Sequence, residues 1–384
     1  MSEIERLKAA IATAPNVPLG DLIEPVLGQV NKDGFDYPFM GVNIAKQIVP
    51  TVANTSTVNP RKYVYIKNRQ FVFSGMQTGR DECIRFTIYT GNTPVLLSPA
   101  YTILQVKDSN VVIPEYIFAN FLSSEMDRLG WFYSDSSVRA NLDLPRFLDI
   151  KIPLPPIEVQ QQYVDAYSGL RKLAEENEAL LEPLSKACQA CLSDARKQFA
   201  LVQLADYIVS VDNRNSDGYY SVDHLQGVTS EGVFDFSKAK TDGIDFTKYK
   251  IVREGFFAYN PSRINLGSIA LRKGEDCIIS PMYIVFKINT KGQDELLPEY
   301  LYLWFMRPEF QRSTLFYASG SVRDTFGFNE MCRVSIPLPP IEVQKSIVAL
   351  HRCAEEARSI AAKARETLNS ICPAMIQRAA HEMH

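Results

Sequence analysis

The chain lacks the features that mark membrane, disordered or secreted proteins. No segment of its 384 residues approaches the roughly 20 consecutive apolar residues that cross a bilayer. The N-terminus, MSEIERLKAAIATA, has a charged, helical pattern without the apolar core of a signal peptide. Since 46% of the residues are hydrophobic and 22% are charged, the chain is too apolar to be disordered. We expect a cytoplasmic protein with two or three domains, at about 150 residues per domain.

Catalytic and metal-binding signatures are also missing. The sequence has no GxxxxGK[ST] loop and no GxGxxG loop after a strand. It has only four histidines, and its seven cysteines include one CxxC, Cys188 and Cys191, which we interpret as small apolar residues on a helix face. The segment 260–263, Asn-Pro-Ser-Arg, is similar to the loop of amino-methyltransferases but lacks the aromatic residue that stacks on a flipped base. We therefore expect no cofactor, no metal and no catalysis; a DNA-modifying enzyme in its own right is the weaker alternative.

A basic excess is absent as well. The chain has 41 Lys and Arg against 44 Asp and Glu, for a formal net charge of −3. Proteins that bind nucleic acids often carry a basic excess. A DNA-binding function would therefore require basic side chains gathered on one face.

The most informative feature is an internal duplication. The nonapeptide IPLPPIEVQ occupies residues 152–160 and recurs at 336–344, an offset of 184 residues. Three shorter motifs recur at the same offset: Pro114-Glu115-Tyr116 with Pro298-Glu299-Tyr300, Phe132-Tyr133 with Phe316-Tyr317, and Ser137-Val138-Arg139 with Ser321-Val322-Arg323. The chain is therefore two copies of one unit, each with a variable globular part, a Pro-rich connector and a long helix.

Each globular part has the pattern of a mixed α and β domain. Pro114 and Pro298 are each suited to the first turn of a helix. Segments rich in β-branched and aromatic residues predict short strands. These segments are 63–66, 70–73, 84–89 and 101–106 in the first copy, and 256–259, 268–271 and 283–288 in the second.

The connectors and long helices also follow from the sequence. Prolines keep each connector extended, and it leads into a helix that runs from about 158 to 198 in the first copy. Both helices carry a stripe at alternating spacings of four and three, which predicts a heptad seam and an intramolecular antiparallel coiled coil, with Asn177 setting the register. Alternatively, each helix packs on its own domain. We expect Pro183 and Pro373 to kink the helices. The stripe positions are Leu170, Ala174, Asn177, Leu181, Leu184, Cys188, Cys191 and Ala195, and then Leu350, Ala354, Ala357, Ala361, Ala364, Leu368, Ile371 and Met375.

Polar loops outside the expected core are the candidates for nucleic-acid contacts. Arg, Gln, Asn, Ser and Thr are the side chains that bind base edges and phosphates. Arg139 and Arg323 lead the set because their Ser-Val-Arg segment occurs in both copies. Ordinary hydrophilic loops are the alternative interpretation. The expected DNA-binding residues are Arg139, Arg323, Ser137, Ser321, Gln77, Thr78, Arg80, Asn260, Ser262 and Arg263.

The layout resembles the specificity (S) subunit of type I restriction-modification enzymes. The duplicated IPLPPIEVQ before a long helix, the variable part before each copy, and the Ser-x-Arg upstream of each connector carry the resemblance. It implies two target-recognition domains that each read one half of a bipartite, asymmetric DNA site. It also implies helices that set the spacer and dock two methyltransferase (modification) subunits, which motor-nuclease (restriction) subunits join. A non-catalytic protein-binding scaffold is the alternative.

The resemblance completes the predicted organisation. The fold is mixed α/β (α+β), with two repeated globular domains separated by two long antiparallel helices and related by a pseudo-two-fold axis. We expect Glu158, Gln160, Glu342 and Gln344 of the duplicated motif to contact partner subunits. The expected segments are 1–16 (a helix that completes the repeat), 17–150 (target-recognition domain 1), 151–200 (connector and central helix), 201–335 (target-recognition domain 2) and 336–384 (connector and C-terminal helix).

Overall fold

The computed structural model describes residues 3–55, 58–76, 78–135, 140–236, 243–317 and 325–372. The chain divides into two compact units. Unit 1 comprises Met1–Glu178 and Ser359–His384, and unit 2 comprises Ala179–Arg358. Both divisions fall inside the long helices, so each unit contains one globular part and a portion of each long helix.

The described part of the chain contains eleven α-helices, numbered here in chain order. They are α1 Glu3–Ala12, α2 Leu19–Leu22, α3 Thr78–Asp81, α4 Pro114–Asn120, α5 Ser124–Tyr133, α6 Leu144–Leu148, α7 Ile157–Gln198, α8 Pro298–Phe305, α9 Pro308–Tyr317, α10 Phe328–Cys332 and α11 Ile341–Ser370.

Twenty short strands complete the described elements, ten in each unit. Those of unit 1 are β1 Asn16–Pro18, β2 Ile23–Pro25, β3 Met40–Val42, β4 Ile48–Pro50, β5 Val64–Ile66, β6 Phe71–Ser74, β7 Arg85–Ile88, β8 Val95–Leu97, β9 Thr102–Val106 and β10 Lys151–Pro153. Those of unit 2 are β11 Leu201–Gln203, β12 Ile208–Val211, β13 Gln226–Val228, β14 Phe234–Phe236, β15 Lys250–Val252, β16 Phe257–Tyr259, β17 Ile269–Leu271, β18 Cys277–Ile279, β19 Ile284–Ile288 and β20 Ser335–Pro337.

Both units have the same sheet topology, which confirms the predicted duplication of a mixed fold. Unit 1 has a four-stranded antiparallel sheet in the order β2-β9-β6-β7, and unit 2 has one in the order β12-β19-β16-β17. The pairs β1-β10, β3-β4 and β5-β8 recur as β11-β20, β13-β14 and β15-β18. The first strand of each globular part therefore pairs with the connector that ends it.

Stacked aromatic rings form the centre of each domain core. Phe71 on β6 stacks on Phe86 with ring centroids 4.9 Å apart, and Phe257 on β16 stacks on Phe286 at 4.9 Å. All four side chains are fully buried. Full burial of a large apolar side chain contributes about 1.5–3 kcal/mol, so these strands are fixed with their aromatic faces against the helices.

The N-terminal helix belongs to the core of unit 1. Leu7 and Ile11 on α1 are buried in the same cluster as Ile371, near the end of α11. The Lys8 Nζ donates to the Ser370 Oγ at 3.1 Å. The helix therefore lies beside the C-terminal end of α11, as expected of a segment that completes the first copy.

The long helices run antiparallel, as predicted. The Glu178 carboxylate on α7 accepts two hydrogen bonds of 2.8 and 2.9 Å from Arg365 on α11. Cys188, ten residues later on α7, contacts the carbonyl of Ile347, which lies earlier on α11. The seam residues with less than a tenth of their surface exposed are Ala174, Cys188, Ala195, Ala354, Ala357, Ala361, Ala364, Leu368 and Ile371.

Three further expectations about the long helices concern Asn177, the two prolines and the packing of each helix on its own domain. Asn177 donates from Nδ2 to the Leu173 carbonyl of its own helix at 2.8 Å, so this bond does not set a register across the seam. The helix α7 continues through Pro183, and Pro373 lies outside the described residues. The alternative packing also holds in part, because Tyr163 on α7 packs edge-on against Tyr116 of α4.

Candidate nucleic-acid interface

The glutamine of the duplicated motif has a structural role in each unit. Gln160 is fully buried. Its Oε1 accepts from the Ile113 amide at 2.9 Å, and its Nε2 donates to the carbonyls of Val111 at 3.1 Å and Pro155 at 2.9 Å. Gln344 makes the same three bonds in unit 2, with Leu297, Glu295 and Pro339.

These contacts correct one prediction. Gln160 and Gln344 have no exposed surface with which to bind another subunit, because their amides tie the connector and a preceding loop to the start of a long helix. Glu158 and Glu342 are exposed and stay candidates for partner contacts. The Glu342 Oε1 accepts from the Lys345 Nζ at 2.7 Å.

Two shared tyrosines also serve the scaffold. The Tyr116 hydroxyl donates to the Pro153 carbonyl at 3.0 Å, and the Tyr300 hydroxyl donates to the Pro337 carbonyl at 3.1 Å. Burial raises the pKa of both phenols. The Pro-Glu-Tyr motif therefore recurs because each copy anchors its connector with the same hydrogen bond.

The expected DNA-binding residues are described only in part. Gln77, Ser137, Arg139, Ser321 and Arg323 lie outside the described residues, and Arg80 lies on α3. Ser262 and Arg263 are exposed, in the loop after β16. No ion pair or hydrogen bond joins the Arg263 guanidinium to another residue within the described ranges.

Two of the candidates are buried, which corrects their assignment as DNA contacts. Thr78 donates from Oγ1 to the Gly75 carbonyl at 3.0 Å, and it is 1% exposed. Asn260 is 7% exposed, and its Oδ1 accepts from the Ser262 amide at 3.0 Å. Both side chains bond within their own loops, as Ser, Thr, Asn and Asp often do. They shape the loops and do not present polar groups to a ligand.

In each unit the loop after β6 or β16 is bonded to a described residue that follows the Ser-Val-Arg segment in the sequence. The Leu142 amide, which follows the first Ser-Val-Arg segment, donates to the Gly75 carbonyl at 2.8 Å. The Phe326 amide, which follows the second, donates to the Pro261 carbonyl at 2.9 Å. A Cβ on Gly75 would lie 1.6 Å from the Leu142 carbonyl oxygen, so the close approach requires glycine.

In unit 1, Asp127 of α5 holds two neighbouring segments, the turn between β3 and β4 and the end of the loop after β6. The Lys46 Nζ lies 2.8 Å from the Asp127 Oδ1, and the lysine side chain is 6% exposed. The Asp127 Oδ1 also accepts from the Ile84 amide at 2.9 Å. Burial, with Asp127 nearby, raises the pKa of the adjacent Cys83 thiol. The loop after β6 therefore has a rigid attachment to the helix that precedes the Ser-Val-Arg segment.

Exposed aromatic residues at the ends of α5 and α9 were not among the predicted site residues. Phe132 is 79% exposed and Phe316 is 84% exposed. Each ring packs edge-on against the following tyrosine, Tyr133 or Tyr317, with centroids 5.4 and 5.3 Å apart. The recurrence of Phe-Tyr in the sequence was the available signal, but it does not reveal exposure.

The described residues contain no cluster of His, Cys, Asp and Glu that could hold a metal ion. Burial raises the pKa of the Cys188 thiol, and it raises the pKa of Cys277 to about 11. Those cysteines therefore remain protonated and packed at neutral pH. Among the helices within the described ranges, none has the length and apolarity to span a bilayer.

Comparisons with known proteins find one family model and several similar proteins. Residues 19–183 match the family model described as "Type I restriction modification DNA specificity domain". The curated protein "Putative type I restriction enzyme MjaX specificity subunit" from Methanocaldococcus jannaschii is 20% identical, over 91% of this chain and 88% of that protein. A solved S subunit of a type I restriction-modification system from M. genitalium has a TM-score of 0.55 at 12% identity, covering 94% of this chain and 96% of that one. A solved HsdS subunit from Thermoanaerobacter tengcongensis has a TM-score of 0.43 at 15% identity, covering 94% and 96%.

Proposed function

Because residues 19–183 match the model of a type I restriction-modification DNA specificity domain, we propose that this chain is a specificity subunit of that kind and that each globular domain reads one half of a bipartite, asymmetric DNA site. The matched model is a DNA specificity domain, and on our proposal the chain recognises DNA without catalytic activity of its own. The chain therefore supplies the sequence recognition of a complex whose chemistry belongs to other subunits, and its place of action is the cytoplasm.

The repeated topology is the observation that carries this proposal. Ten strands in unit 1 have counterparts in the same order in unit 2, whereas the loops after β6 and β16 differ in sequence, GMQTGR against NPSRIN. Two copies of one scaffold with different loops suit two different half-sites. In both units the loop meets the flank of a Ser-Val-Arg segment. Arg139, Arg323, Ser137, Ser321, Gln77, Arg80, Ser262 and Arg263 are the residues that we propose for this surface.

The long helices are the proposed spacer and docking elements. With 42 residues, α7 is about 63 Å long. The exposed Glu158 and Glu342 at the starts of α7 and α11 are the proposed contacts for two methyltransferase subunits, which motor-nuclease subunits then join. Since the net charge of the chain is −3, we propose that these partners supply much of the phosphate contact.

A mobility-shift assay with and without the methyltransferase partner tests this function. We expect the complex to shift a small subset of a random-sequence duplex pool, and the subset to share two separated conserved blocks after sequencing. The chain alone should bind weakly. A complex that binds no duplex, or binds all duplexes equally, would contradict the proposal and favour a protein-binding scaffold.

A further inference from the structure

The two units share a surface feature that the readout of two different half-sites does not require. In both α5 and α9, an arginine precedes a Phe-Tyr pair by four residues. Residues four apart lie on the same face of a helix, so the guanidinium and the phenylalanine ring can act together. We call these groups the aromatic tips. They are Arg128, Phe132 and Tyr133 in unit 1, and Arg312, Phe316 and Tyr317 in unit 2.

The tips are open to solvent. The Arg128 side chain is 69% exposed, and its only ion pair among the described residues is the surface contact with Glu125 at 3.1 Å. Solvent-exposed ion pairs of this kind contribute little to stability, so this arginine can exchange its partner for a ligand. Arg312 is also exposed and has no ion pair with any residue that the structure describes. In each tip the exposed Phe and Tyr rings pack on each other, so they present one continuous apolar surface.

The occupant of the tips must be common to both units, because the tips are the same while the neighbouring loops differ. Duplex DNA and the methyltransferase both meet this condition. The position of the tips favours DNA over the methyltransferase. Both α5 and α9 end just before a Ser-Val-Arg segment in the sequence. Asp127 of α5 accepts a hydrogen bond from the Ile84 amide, at the end of the loop after β6. The helix α9 packs against the turn Ile264–Leu266, which follows β16. The tips are thus continuous with the proposed DNA-reading surface.

We infer that the aromatic tips are sequence-independent contacts to duplex DNA, one for each half-site. The arginine binds a backbone phosphate, and the ring pair lies against a deoxyribose. Arginine is a common phosphate ligand, contacts to phosphate and sugar carry no direct sequence information, and the apolar face of a sugar is the same whichever base it carries. This inference rests on the proposed function, and it adds a contact that holds either domain on DNA regardless of the target sequence.

Affinity for a pool of random-sequence duplexes tests the inference, measured by fluorescence anisotropy on the full chain assembled with its methyltransferase. The double variant Phe132→Ala, Phe316→Ala should bind about tenfold more weakly or worse, because each ring loses the apolar surface that it buries on DNA, with an unchanged dependence on salt. Arg312→Gln should bind more weakly and lower the slope of log affinity against log salt by about one. Phe236→Ala is the matched control, since Phe236 is 66% exposed on β14, outside the tips; its affinity should equal that of the wild type.

Assembly of each variant with the methyltransferase, followed by size-exclusion chromatography, separates the two possible occupants. We expect every variant to assemble like the wild type. Unchanged DNA affinity in the double variant would overturn the inference while leaving the proposed function intact. Loss of assembly with unchanged DNA affinity would assign the tips to the methyltransferase and would also overturn it. A wild-type complex that binds no duplex would refute the proposed function itself.

Discussion

Buried amides hold each connector to its domain. From a fully buried position, Gln160 satisfies one backbone amide and two backbone carbonyls. Leaving a buried polar group without a partner costs about 1–3 kcal/mol. Gln160→Ala should therefore lower the free energy of unfolding by about 2–3 kcal/mol, measured by urea denaturation.

The neighbouring residue provides the control for that substitution. Gln161 is exposed on the same helix, and its Nε2 donates to the Asp165 Oδ1 at 2.8 Å. Gln161→Ala should leave the free energy of unfolding nearly unchanged. If Gln160→Ala were equally neutral while assembly with the methyltransferase failed, the structural role assigned to this glutamine would be wrong.

The two Ser-Val-Arg arginines are the proposed base or phosphate ligands. Replacing Arg139 or Arg323 with Ala should cost on the order of 1–3 kcal/mol in DNA binding, measured on the assembled complex. Thermal stability should be nearly unchanged, because neither variant removes a buried apolar side chain. Arg171→Ala on α7, where the Nε lies 2.8 Å from the Glu175 carboxylate, is the control and should bind DNA normally. Normal binding by both loop variants would remove these residues from the site.

At the scale of the element, small buried residues form one face of α11. Ala354, Ala357, Ala361 and Ala364 form the buried stripe of α11. Adding methylenes to a packed interior typically costs about 1–3 kcal/mol. Ala361→Leu should lower the free energy of unfolding by about that amount. Ala362→Leu, on the exposed face of the same helix, should have little effect. Equal effects of the two substitutions would show that the stripe is not tightly packed.

The sequence predicted the longer and more periodic elements well. Each of the seven expected strands has ends within one residue of those of an observed strand. The helix α7 begins at Ile157 and ends at Gln198, where we expected a helix from about 158 to 198. The missed strands include β1 and β11, which have three residues each. Such strands are too short for a hydrophobic alternation to show, and they form because the connector supplies a pairing partner.

The site was harder to predict because the sequence does not show whether a polar side chain faces solvent or is buried with its hydrogen bonds made to other residues. Thr78 and Asn260 were assigned to DNA, and Gln160 and Gln344 to partner subunits, yet all four are buried. We expected the glutamines that recur in both copies to bind partners, but these identical residues maintain the scaffold that the two units share. Ser262 and Arg263 remain exposed among the DNA-binding candidates whose side chains are described, as do Glu158 and Glu342 among the partner-binding candidates. Tertiary hydrogen bonds decide between the two cases, and they are not encoded in local sequence patterns.

For the whole molecule, the length of α7 sets an expectation for the DNA site. The helix is about 63 Å long, and each domain packs along part of it, which shortens the useful separation. DNA advances about 3.4 Å per base pair. We therefore expect roughly 5–8 unspecified base pairs between half-sites, near one helical turn from centre to centre. The motif found by methylation mapping gives this number directly. A contiguous target would contradict it.

The most direct test of the account is methylation mapping after a domain exchange. A host would carry the methyltransferase with either the wild-type chain or a chain in which residues 17–150 come from a relative. The wild type should methylate a bipartite, asymmetric sequence, and methylation should disappear when the chain is absent. The exchange should change one half of that sequence and leave the other half as it was. A palindromic target, or an exchange that alters both halves, would contradict the assignment of one domain to each half-site.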